Sequence, residues 1–545
     1  MNLPPLPSDV EMANYDLLAS ALVFGLIFTL YVRRWLERLG SRYDISLPPG
    51  PKKLPVLGNL LDMPKKFEWE TYRKWALDLD SEIIHLDLAG TNVIVISSLE
   101  AATELLETRS SVYSSRARMP MINELMGWHF DFGFMPYGEY WRQCRRLFHQ
   151  EFHPTAARRF QPKELKATHE LLGKLLNDPE DLEGHLRHHA GTIVLGIAYG
   201  LQIQPKNDPY IRAAEEGVQP LLVAGVPGTF LVDALPILKH VPAWMPGAGF
   251  QIKAREWHKL ADRMRLMPWD AAKKEIAEGI NDSSFVSYCL EKVDQDGDIA
   301  LQEKYIQSTA GTMYAGTACF ELLLSLRFTD MTDLFSRLRY ISALASFVLA
   351  MLENPDVVTK AQKELDNVVG QHRLPDFDDE SSLPYISAIV KEVLRWRPVT
   401  PIAIPHVTTV DDVYRGYRIP ANSIVIPNAW AMLYDENVYP SPYTFDPERF
   451  LKHGKLNRDV KDPTAAFGFG RRICPGRYMA QHTMWIAVAS MLAVFDIKKA
   501  VDEDGNTIHP SHEYTSALVS TPLPFQYSLK PRSPEAEKLI RSAVA

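Results

Sequence analysis

The chain is poor in cysteine, with four cysteines in 545 residues. Cys144, Cys289, Cys319 and Cys474 lie far apart, and no two of them form a CxxC pair. This spacing excludes a disulfide-rich scaffold and a zinc site built on cysteine pairs. Each cysteine must therefore be interpreted from the residues that surround it.

Positive charge is not in excess. The 59 Lys and Arg residues stand against 67 Asp and Glu residues, which gives a net charge of −8 and no reason to expect a nucleic acid partner. The sequence also lacks internal repeats, low-complexity tracts and a recognisable linker. Length alone suggests roughly three or four domains, but the missing linker favours one large catalytic unit.

Basic residues are missing from Met1–Asp16, which precedes the apolar run Leu17–Val32. A cleaved signal peptide needs such a basic region, so that alternative is disfavoured. With Tyr15 and Trp35 as interfacial flanks, the run is long enough for one membrane span. The arginines that follow the run predict that the rest of the chain is cytosolic, namely Arg33, Arg34, Arg38 and Arg42.

Two local signals come after this predicted anchor. The proline-rich stretch Leu47–Pro51 is predicted to be a stiff spacer, because proline fixes φ and does not continue a helix. The sequon Asn281-Asp282-Ser283 would face the cytosol in this orientation. We therefore predict that the sequon is not glycosylated.

The pattern of apolar residues predicts a mainly α-helical chain with a small β region. Ile83–Leu88 and Thr91–Ile96 are rich in β-branched residues and are predicted to form a hairpin around Gly90. Glu100–Glu107 is predicted to be helical. Further β structure is predicted near residues 407–413 and 423–427.

Three glycines, two arginines and a proline surround one of the cysteines in the stretch Phe467–Gly476. A thiolate is a strong axial ligand for haem iron and favours cleavage of the O–O bond of bound oxygen. Gly470 and Gly476 allow turn conformations closed to other residues and are expected to bring backbone N–H groups close to the Cys474 sulfur. Arg472 offers a fixed, forked cation suited to a carboxylate. The alternative is a buried cysteine in a glycine-rich turn.

The pattern Phe-x-x-Gly-x-Arg-x-Cys-x-Gly in this stretch resembles the haem-binding loop of the cytochrome P450 family. The residues around it are most similar to those of fungal microsomal members. The resemblance implies that Cys474 is the axial ligand of haem b (iron protoporphyrin IX). It also implies that Phe467, Gly470 and Gly476 frame the haem and that Arg472 binds a haem propionate.

The same resemblance implies further residues that donate hydrogen bonds to the haem propionates. Trp141 and Arg145 are predicted to share one helix face, where an indole N–H and a guanidinium could both donate to a propionate. They resemble the Trp-x-x-x-Arg helix of the family, and a tryptophan stacked beside a surface arginine is the alternative. His406 follows two prolines in an extended stretch where the family often places another propionate donor.

A Glu-x-x-Arg pair is predicted near the end of the helix that Arg397-Pro398 terminates. Glu392 and Arg395 face the same way, and a buried pair of this kind needs further hydrogen bonds. Arg449, in Pro-Glu-Arg-Phe, is the expected third member. The combination resembles the structural triad that supports the haem loop in the family, and a solvated ion pair is the alternative.

The resemblance also implies where the substrate binds. Gly217–Phe250 is unusually apolar and contains five prolines. In the family this region is a mobile roof over the substrate channel that dips toward the membrane, with plain core packing as the alternative. The roof candidates are Leu221, Leu222, Trp244 and Met245. The pocket residues implied by resemblance are Arg116, Met121, Val399, Ile402, Leu518 and Val519.

The long central helix of the family departs from its usual pattern here. It usually carries Ala/Gly-Gly-x-Asp/Glu-Thr-Thr, whose acid and alcohol relay protons to bound dioxygen. Gly311–Thr317 begins this pattern and Ile341–Pro355 resumes the helix, but residues 318–340 stand between them. As helix this excess of about twenty residues would add roughly 30 Å, which a close-packed core does not absorb.

We therefore assign no catalytic acid–alcohol pair. In one explanation, the insert is a retained intron or a mis-joined exon in a conceptual translation, which the intact flanks favour. In the other, it belongs to a true variant with altered or lost oxygen activation.

The predicted organisation is an anchor and flank at residues 1–46 and a catalytic domain at residues 47–545. The fold implied is the mainly α cytochrome P450 fold with a small β region, preceded by one N-terminal transmembrane helix. The function implied is insertion of one oxygen atom from dioxygen into a small apolar molecule, with electrons from NADPH through NADPH-cytochrome P450 reductase at the endoplasmic reticulum membrane. The alternatives are a haem-binding pseudoenzyme or sensor, and a haem-thiolate isomerase or dehydratase.

Overall fold

The computed structural model describes residues 25, 45–225, 229–281, 283–321, 342–516 and 518–544. Most of these residues are helical. In chain order the α-helices are α1 Glu68–Asp78, α2 Leu99–Ala102, α3 Ser110–Tyr113, α4 Glu139–Phe152, α5 Pro154–Ala157, α6 Gln161–Asn177, α7 Leu182–Ala198, α8 Pro209–Ala224, α9 Leu231–Ala234, α10 Gly249–Ala277, α11 Phe285–Glu291, α12 Ile299–Glu321, α13 Ser342–Glu353, α14 Pro355–Val368, α15 Pro384–Trp396, α16 Ala429–Leu433, α17 Arg477–Val494 and α18 Pro534–Val544.

Short helical turns of other types lie between these helices. Two have π-helical hydrogen bonding, Thr103–Thr108 and Pro120–Leu125. The others are 3-10 turns, Leu60–Asp62, Trp128–Phe130, Arg158–Phe160, Pro236–His240, Phe377–Ser382, Pro447–Phe450, Thr464–Phe467 and Gly470–Arg472.

The strands are short and form one larger sheet and three ribbons. They are β1 Ile83–Leu88, β2 Thr91–Ile96, β3 His406–Val407, β4 Asp412–Tyr414, β5 Tyr417–Ile419, β6 Ile424–Pro427, β7 Leu451–Lys452, β8 Lys455–Leu456, β9 Phe495–Lys499 and β10 Tyr527–Pro531. The larger sheet has the order β1-β2-β6-β3, in which β2 and β6 are parallel and the other neighbours are antiparallel. The antiparallel ribbons are β4–β5, β7–β8 and β9–β10.

Two large apolar clusters form most of the core. One is built mainly from α13, α15 and α17, and the other mainly from α4, α7, α10 and α12. Each fully buried large aliphatic or aromatic side chain contributes about 1.5–3 kcal/mol of hydrophobic stabilisation. The loop of Cys474 leads directly into α17, where Met479 packs against the second cluster. The loop therefore lies where the two clusters meet.

The predicted fold class is confirmed for the described residues, which are mainly helical with a small β region. The predicted hairpin forms as β1 and β2, with Ile83 opposite Ile96. The predicted helix Glu100–Glu107 is α-helical only as far as Ala102 and then continues as the π-helical turn. Near residues 407–413 the chain forms two strands in different sheets, β3 and β4.

The predicted transmembrane helix falls outside the described residues, apart from Gly25. Among the residues that the structure does describe, no helix is both long enough and apolar enough to cross a membrane. The anchor therefore stays a prediction from sequence.

The predicted roof is only partly an outer surface. Leu221 is buried against the second cluster, which favours the alternative of core packing for this residue. Trp244 and Met245 are exposed, by 80% and 42%. The side chain of Leu222 lies outside the described residues.

The asparagine of the sequon is buried, which the sequence analysis did not predict. Asn281 is nearly inaccessible, and its side-chain amide donates a hydrogen bond to the carbonyl of Tyr199. Gly200 lies against the same side chain with a φ of +77°, so a larger residue would not fit there. The asparagine side chain is therefore shielded from solvent in the folded protein, and the absence of glycosylation stays a prediction.

The central helix is described on both sides of the predicted insert. Helix α12 continues to Glu321, and α13 begins at Ser342 with a fully buried first residue. Residues 322–341 lie outside the described residues, so the course of the insert stays a prediction.

Candidate haem-thiolate site

The loop of Cys474 is held against the helix that precedes α3. Gly470 has a φ of +54°, and a Cβ atom there would lie 2.0 Å from the carbonyl oxygen of Leu106. Only glycine fits this close approach without strain. The backbone N–H of Cys474 donates to the carbonyl of Phe467 at 2.8 Å, which closes the loop on itself.

The role predicted for a second glycine needs correction. Gly476 has a φ of −84°, which any residue adopts, and a Cβ there would meet only Phe148 at an ordinary 3.7 Å. The residue in this loop that needs a left-handed conformation besides Gly470 is Gly468, with a φ of +82°. Local sequence does not distinguish among closely spaced glycines, because the difference lies in φ.

Burial and hydrogen bonding act in opposite directions on the Cys474 thiol. Burial raises its pKa, while the backbone N–H groups of Gly476 and Arg477 and the guanidinium groups of Arg145 and Arg477 lower it. N–H donors and cations favour the charged form of a thiol. A metal ion that coordinates a thiol deprotonates it outright. These groups therefore suit a metal-bound thiolate.

Next to this loop lies a cluster of buried cations. Arg472 donates to the carbonyls of Ser114, Phe132 and Met135 at 2.7, 3.0 and 2.8 Å. Arg116 donates to the carbonyls of Gly133, Ile404 and Pro405 at 3.0, 2.6 and 3.0 Å. Carbonyl oxygens satisfy these guanidinium N–H groups but do not neutralise their charge.

Mutual repulsion is visible in the electrostatics of the cationic cluster. Burial lowers the pKa of Arg145 to about 10, of Arg116 to about 9 and of Arg472 to about 8, and Arg116 and Arg145 lower that of Arg472 further. Burial and the nearby Arg116 and Arg472 hold the pKa of His406 well below its usual 6.5. The cluster therefore favours an anion, and it has the capacity for more than one negative charge.

Trp141 adds an uncharged donor to the same place. Its indole nitrogen is buried with no hydrogen-bond partner among the described residues, and the guanidinium of Arg472 lies 4.5 Å from its ring centroid. Buried polar groups are normally hydrogen-bonded. An unpaired donor beside three guanidinium groups fits a carboxylate ligand, and haem carries two propionates. The thiol and the cationic cluster together therefore fit haem.

The structure places one residue in the cluster that sequence reasoning did not predict there. Arg116 was assigned to the substrate pocket, whereas its guanidinium lies with Arg472 and His406. No periodic signal in the sequence around Arg116 indicates this, because its partners lie far along the chain. His406 keeps its predicted neighbourhood, and its Nδ1 lies 2.7 Å from the carbonyl oxygen of Tyr113.

The predicted triad is brought together, and its Glu392–Arg395 pair is fully buried. Arg395 contacts both carboxylate oxygens of Glu392 at 2.8 Å, and Arg449 contacts Oε2 at 3.1 Å. The N–H of Asp446 adds a fourth hydrogen bond to the carboxylate at 2.8 Å. Glu392 and Arg395 are wholly inaccessible to solvent, so the alternative of a solvated ion pair is wrong. The triad ties α15 to the segment around Pro447–Phe450.

The other predicted pocket residues belong to separate parts of the core. Val399 and Val519 lie in the first cluster, where the N–H of Ser520 donates to the carbonyl of Val399 at 2.8 Å. Ile402 and Leu518 are half-buried. Met121 lies in the second cluster, together with Met126 and Met313. The described side chains that pack around Val399, Val519 and Met121 are apolar.

Helix α12 presents two small or polar positions one turn apart. Gly316 is exposed, and a Cβ there would meet nothing within 4 Å. Thr312 is half-buried, and its hydroxyl donates to the carbonyl of Ser308 and accepts from the N–H of Phe132 at 3.3 Å. These positions share a helix face. Among the described residues, therefore, none packs against the helix at Gly316, just before the insert.

Polar contacts hold the roof to the segment before α4. Asp233 accepts a hydrogen bond from the N–H of Met121 at 2.9 Å, and Lys239 donates to Glu124 at 2.6 Å. Arg118 and Lys239 hold the pKa of Glu124 at about 2. We call the contacts of Asp233 and Lys239 the roof latch.

Comparison with known proteins agrees with this site. The family profile described as Cytochrome P450 matches residues 48–318 and 340–529. Cytochrome P450 monooxygenase 98 of Postia placenta is 45% identical, over 98% of this chain and 99% of the relative. Cytochrome P450 monooxygenase ple1 of Rhodocybe pseudopiperita is 44% identical over 98% of each chain. Tryptamine 4-monooxygenase of Psilocybe cyanescens is 41% identical, over 96% of this chain and 99% of the relative.

The profile omits residues 319–339, where the sequence analysis places the insert. On both sides of this gap the match is continuous, and it includes the Cys474 loop, the cationic cluster and the triad. The chain therefore belongs to the cytochrome P450 family of monooxygenases.

Proposed function

We propose that the protein inserts one oxygen atom from dioxygen into a small apolar molecule, with electrons from NADPH delivered by NADPH-cytochrome P450 reductase. The observation that carries this proposal is the Cys474 thiol, which faces N–H donors on one side and lies beside the cationic cluster. Haem b, held by this thiol, supplies activation of dioxygen and storage of the electrons.

Each residue of the site then has a defined task. Cys474 binds the iron, while Trp141, Arg145, Arg472 and His406 hold the propionates, with Arg116 as a further donor. Glu392, Arg395 and Arg449 position the segment that precedes the haem loop. The Nδ1 of His406 lies against the carbonyl oxygen of Tyr113 and must carry its proton there, so donation from Nε2 to a propionate needs the imidazolium form. Burial lowers the pKa of this imidazole, and a bound carboxylate would raise it.

An apolar substrate is supported by the apolar side chains of the second cluster, which include part of the central helix. Met121, Met126, Met313 and the half-buried Ile404 contribute apolar side chains there. Methionine side chains adapt to irregular shapes. A substrate bound beside these side chains would be recognised by shape and apolar contact.

Membrane association is supported by the outer surface of the roof. Leu231, Ile237 and Trp244 are exposed by 71%, 73% and 80%. Exposed apolar patches of this kind mark interaction sites. We propose that this surface lies against the endoplasmic reticulum membrane, to which the predicted N-terminal helix anchors the chain.

The reductase is proposed to bind on the opposite side of the haem loop. Exposed arginines there can attract an acidic partner, namely Arg142, Arg146 and Arg471. This surface includes α4, whose buried face carries Trp141. Electrons would therefore arrive close to the propionate donors.

Proton delivery depends on which residues follow Thr317 on the central helix of the working protein. We infer that residues 318–340 come from a retained intron or mis-joined exon, because the family profile stops and resumes at this stretch. Complementary DNA sequenced across Gly316–Ile341 tests this inference directly. Transcripts that all encode the complete insert would contradict it and would favour a haem protein with altered oxygen activation.

The function is tested by the reduced carbon monoxide difference spectrum, followed by NADPH consumption with reductase. Wild-type protein should give the thiolate-type Soret shift, and C474S should lose it. C289S is the control, because Cys289 is a free cysteine that lies away from the loop, on α11. A thiolate-type spectrum that persists in C474S would refute iron ligation by Cys474.

A further inference from the structure

One buried carboxylate lies beside the cationic cluster without binding any of its arginines directly. Asp131 is 5% exposed, and its Oδ1 accepts a hydrogen bond from the N–H of Gly133 at 2.7 Å. Its own carbonyl accepts from the N–H of Phe134 at 3.2 Å. Asp131 thus forms both the side-chain and the main-chain hydrogen bonds of one tight turn.

The carbonyls of this turn are the acceptors that orient two arginines. Phe132 and Met135 accept from the two terminal nitrogens of Arg472, at 3.0 and 2.8 Å. Gly133, which donates to Asp131, accepts from Nε of Arg116 at 3.0 Å. A change in the turn would therefore move the acceptors of both guanidinium groups.

Space in the turn leaves Asp131 little freedom. A Cβ atom at Gly133 would lie 2.9 Å from Oδ1 of Asp131, so the side chain and the glycine backbone are in direct contact. The N–H of Phe132 also donates to Thr312 at 3.3 Å, which ties the turn to α12. The turn is thus held from three directions, by Asp131, the arginines and α12.

We propose that Asp131 is a positioning residue for haem, which shapes the turn 131–135 so that Arg116 and Arg472 point toward the propionates. Asp131 acts through the arginines and does not itself touch the haem. The role needs a hydrogen-bond acceptor at this place, not a negative charge. The proposal rests on haem binding at Cys474.

Two substitutions of Asp131 test whether a hydrogen-bond acceptor or a negative charge is needed. In D131N the amide oxygen can still accept from Gly133, whereas in D131A the acceptor is lost. Loss of one buried hydrogen bond is expected to speed haem release by about tenfold in D131A. D131N should release haem at the wild-type rate within about twofold.

Asp208 provides the matched control. It is 4% exposed and accepts hydrogen bonds from the N–H groups of Tyr210 and Ile211 at 2.8 and 3.0 Å, at the start of α8. D208A should lower the thermal unfolding midpoint without changing haem release. A general loss of stability is thereby separated from a specific effect on haem.

The experiment measures haem transfer from each full-length holoprotein to excess apomyoglobin, together with the Soret spectrum and thermal unfolding. Fast release in D131A alone, with D131N and D208A unchanged, is the expected result. Wild-type release from D131A would overturn the proposal, and so would equally fast release from D131N. A wild-type protein without a thiolate-type spectrum would instead refute the proposed function.

Discussion

A single glycine decides how the Cys474 loop meets its neighbour. Gly470 combines a φ of +54° with a backbone approach that leaves no room for a Cβ, whereas Gly476 shows neither feature. The two glycines look equivalent in the sequence. Their difference appears only when Leu106 is brought beside the loop.

G470A should destabilise the protein by about 1–3 kcal/mol, because the new Cβ meets the carbonyl of Leu106 and the left-handed φ becomes strained. Thermal unfolding of the holoprotein measures the loss. G196A is the control, since Gly196 lies within α7 and a Cβ there meets nothing within 4 Å. A G470A protein as stable as G196A would contradict the packing of this loop.

A buried acid far from the cationic cluster makes a second residue-scale prediction. Burial raises the pKa of Glu164 on α6 from 4.5 to about 8, and one carboxylate oxygen has no hydrogen-bond partner among the described residues. The folded state therefore binds a proton that the unfolded chain releases between these pH values. Wild-type stability should fall as pH rises from 4.5 to about 8, by up to about 1.4 kcal/mol per pH unit.

E164Q removes this titration and should become more stable than wild type as pH rises. The advantage should be largest above pH 8 and should disappear near pH 4.5, where both side chains are neutral. Unfolding in urea across this pH range measures the difference. A pH-independent difference between the two proteins would contradict a protonated Glu164.

At the scale of elements, the roof latch joins segments that the chain separates widely. Gln251, at the start of α10, donates to the carbonyl of Lys239 at 2.7 Å. The side chain of Lys239 reaches Glu124 on the other segment. Both the backbone carbonyl and the side chain of Lys239 are thus bound. Because the turn Pro236–His240 belongs to the roof, these contacts hold the roof to the other segment.

Loss of the latch should speed ligand entry more than it lowers stability. Because the Glu124–Lys239 pair is partly exposed, its coupling energy should be about 0.2–1 kcal/mol in a double-mutant cycle of E124A and K239A. Stopped-flow binding of an azole ligand should be faster in either single variant. D496A is the control, since the Lys498–Asp496 pair lies on β9. Equal rates in all variants would exclude a gating role.

At the scale of the whole molecule, one helix lies outside the residues that the family profile matches. Helix α18 follows residue 529, where the match ends, and packs against α6 through Ile540. Arg532 secures the chain just before this helix by two hydrogen bonds to Asp366, at 3.0 and 2.7 Å. The C-terminal segment is therefore part of the folded core.

I540A should cost about 2–5 kcal/mol, the usual loss for a large aliphatic residue truncated in a core. K538A on the exposed face of α18 is the control and should change stability by less than about 0.5 kcal/mol. Thermal unfolding of both holoproteins checks the difference. A small effect of I540A would show that α18 is dispensable for the fold.

Much of the site could be predicted from sequence because its motifs are local. The Cys474 loop, the Trp141–Arg145 spacing and the Glu392–Arg395 spacing each lie within one short segment, where chain geometry determines which residues are neighbours. The β1–β2 hairpin was predictable for the same reason. Burial of Asn281 was not, because it depends on the distant Tyr199.

The sequence by itself determined the family and the mainly helical fold and indicated Cys474 as the candidate thiolate, since contiguous residue types carry that information. Only the tertiary structure decided that Arg116 belongs to the cationic cluster and that the Asp131 carboxylate accepts a hydrogen bond within the turn 131–135. It also distinguished Gly470 from Gly476. These features depend on segments far apart in the chain, whose contacts arise when the core packs and which leave no periodic pattern in the sequence.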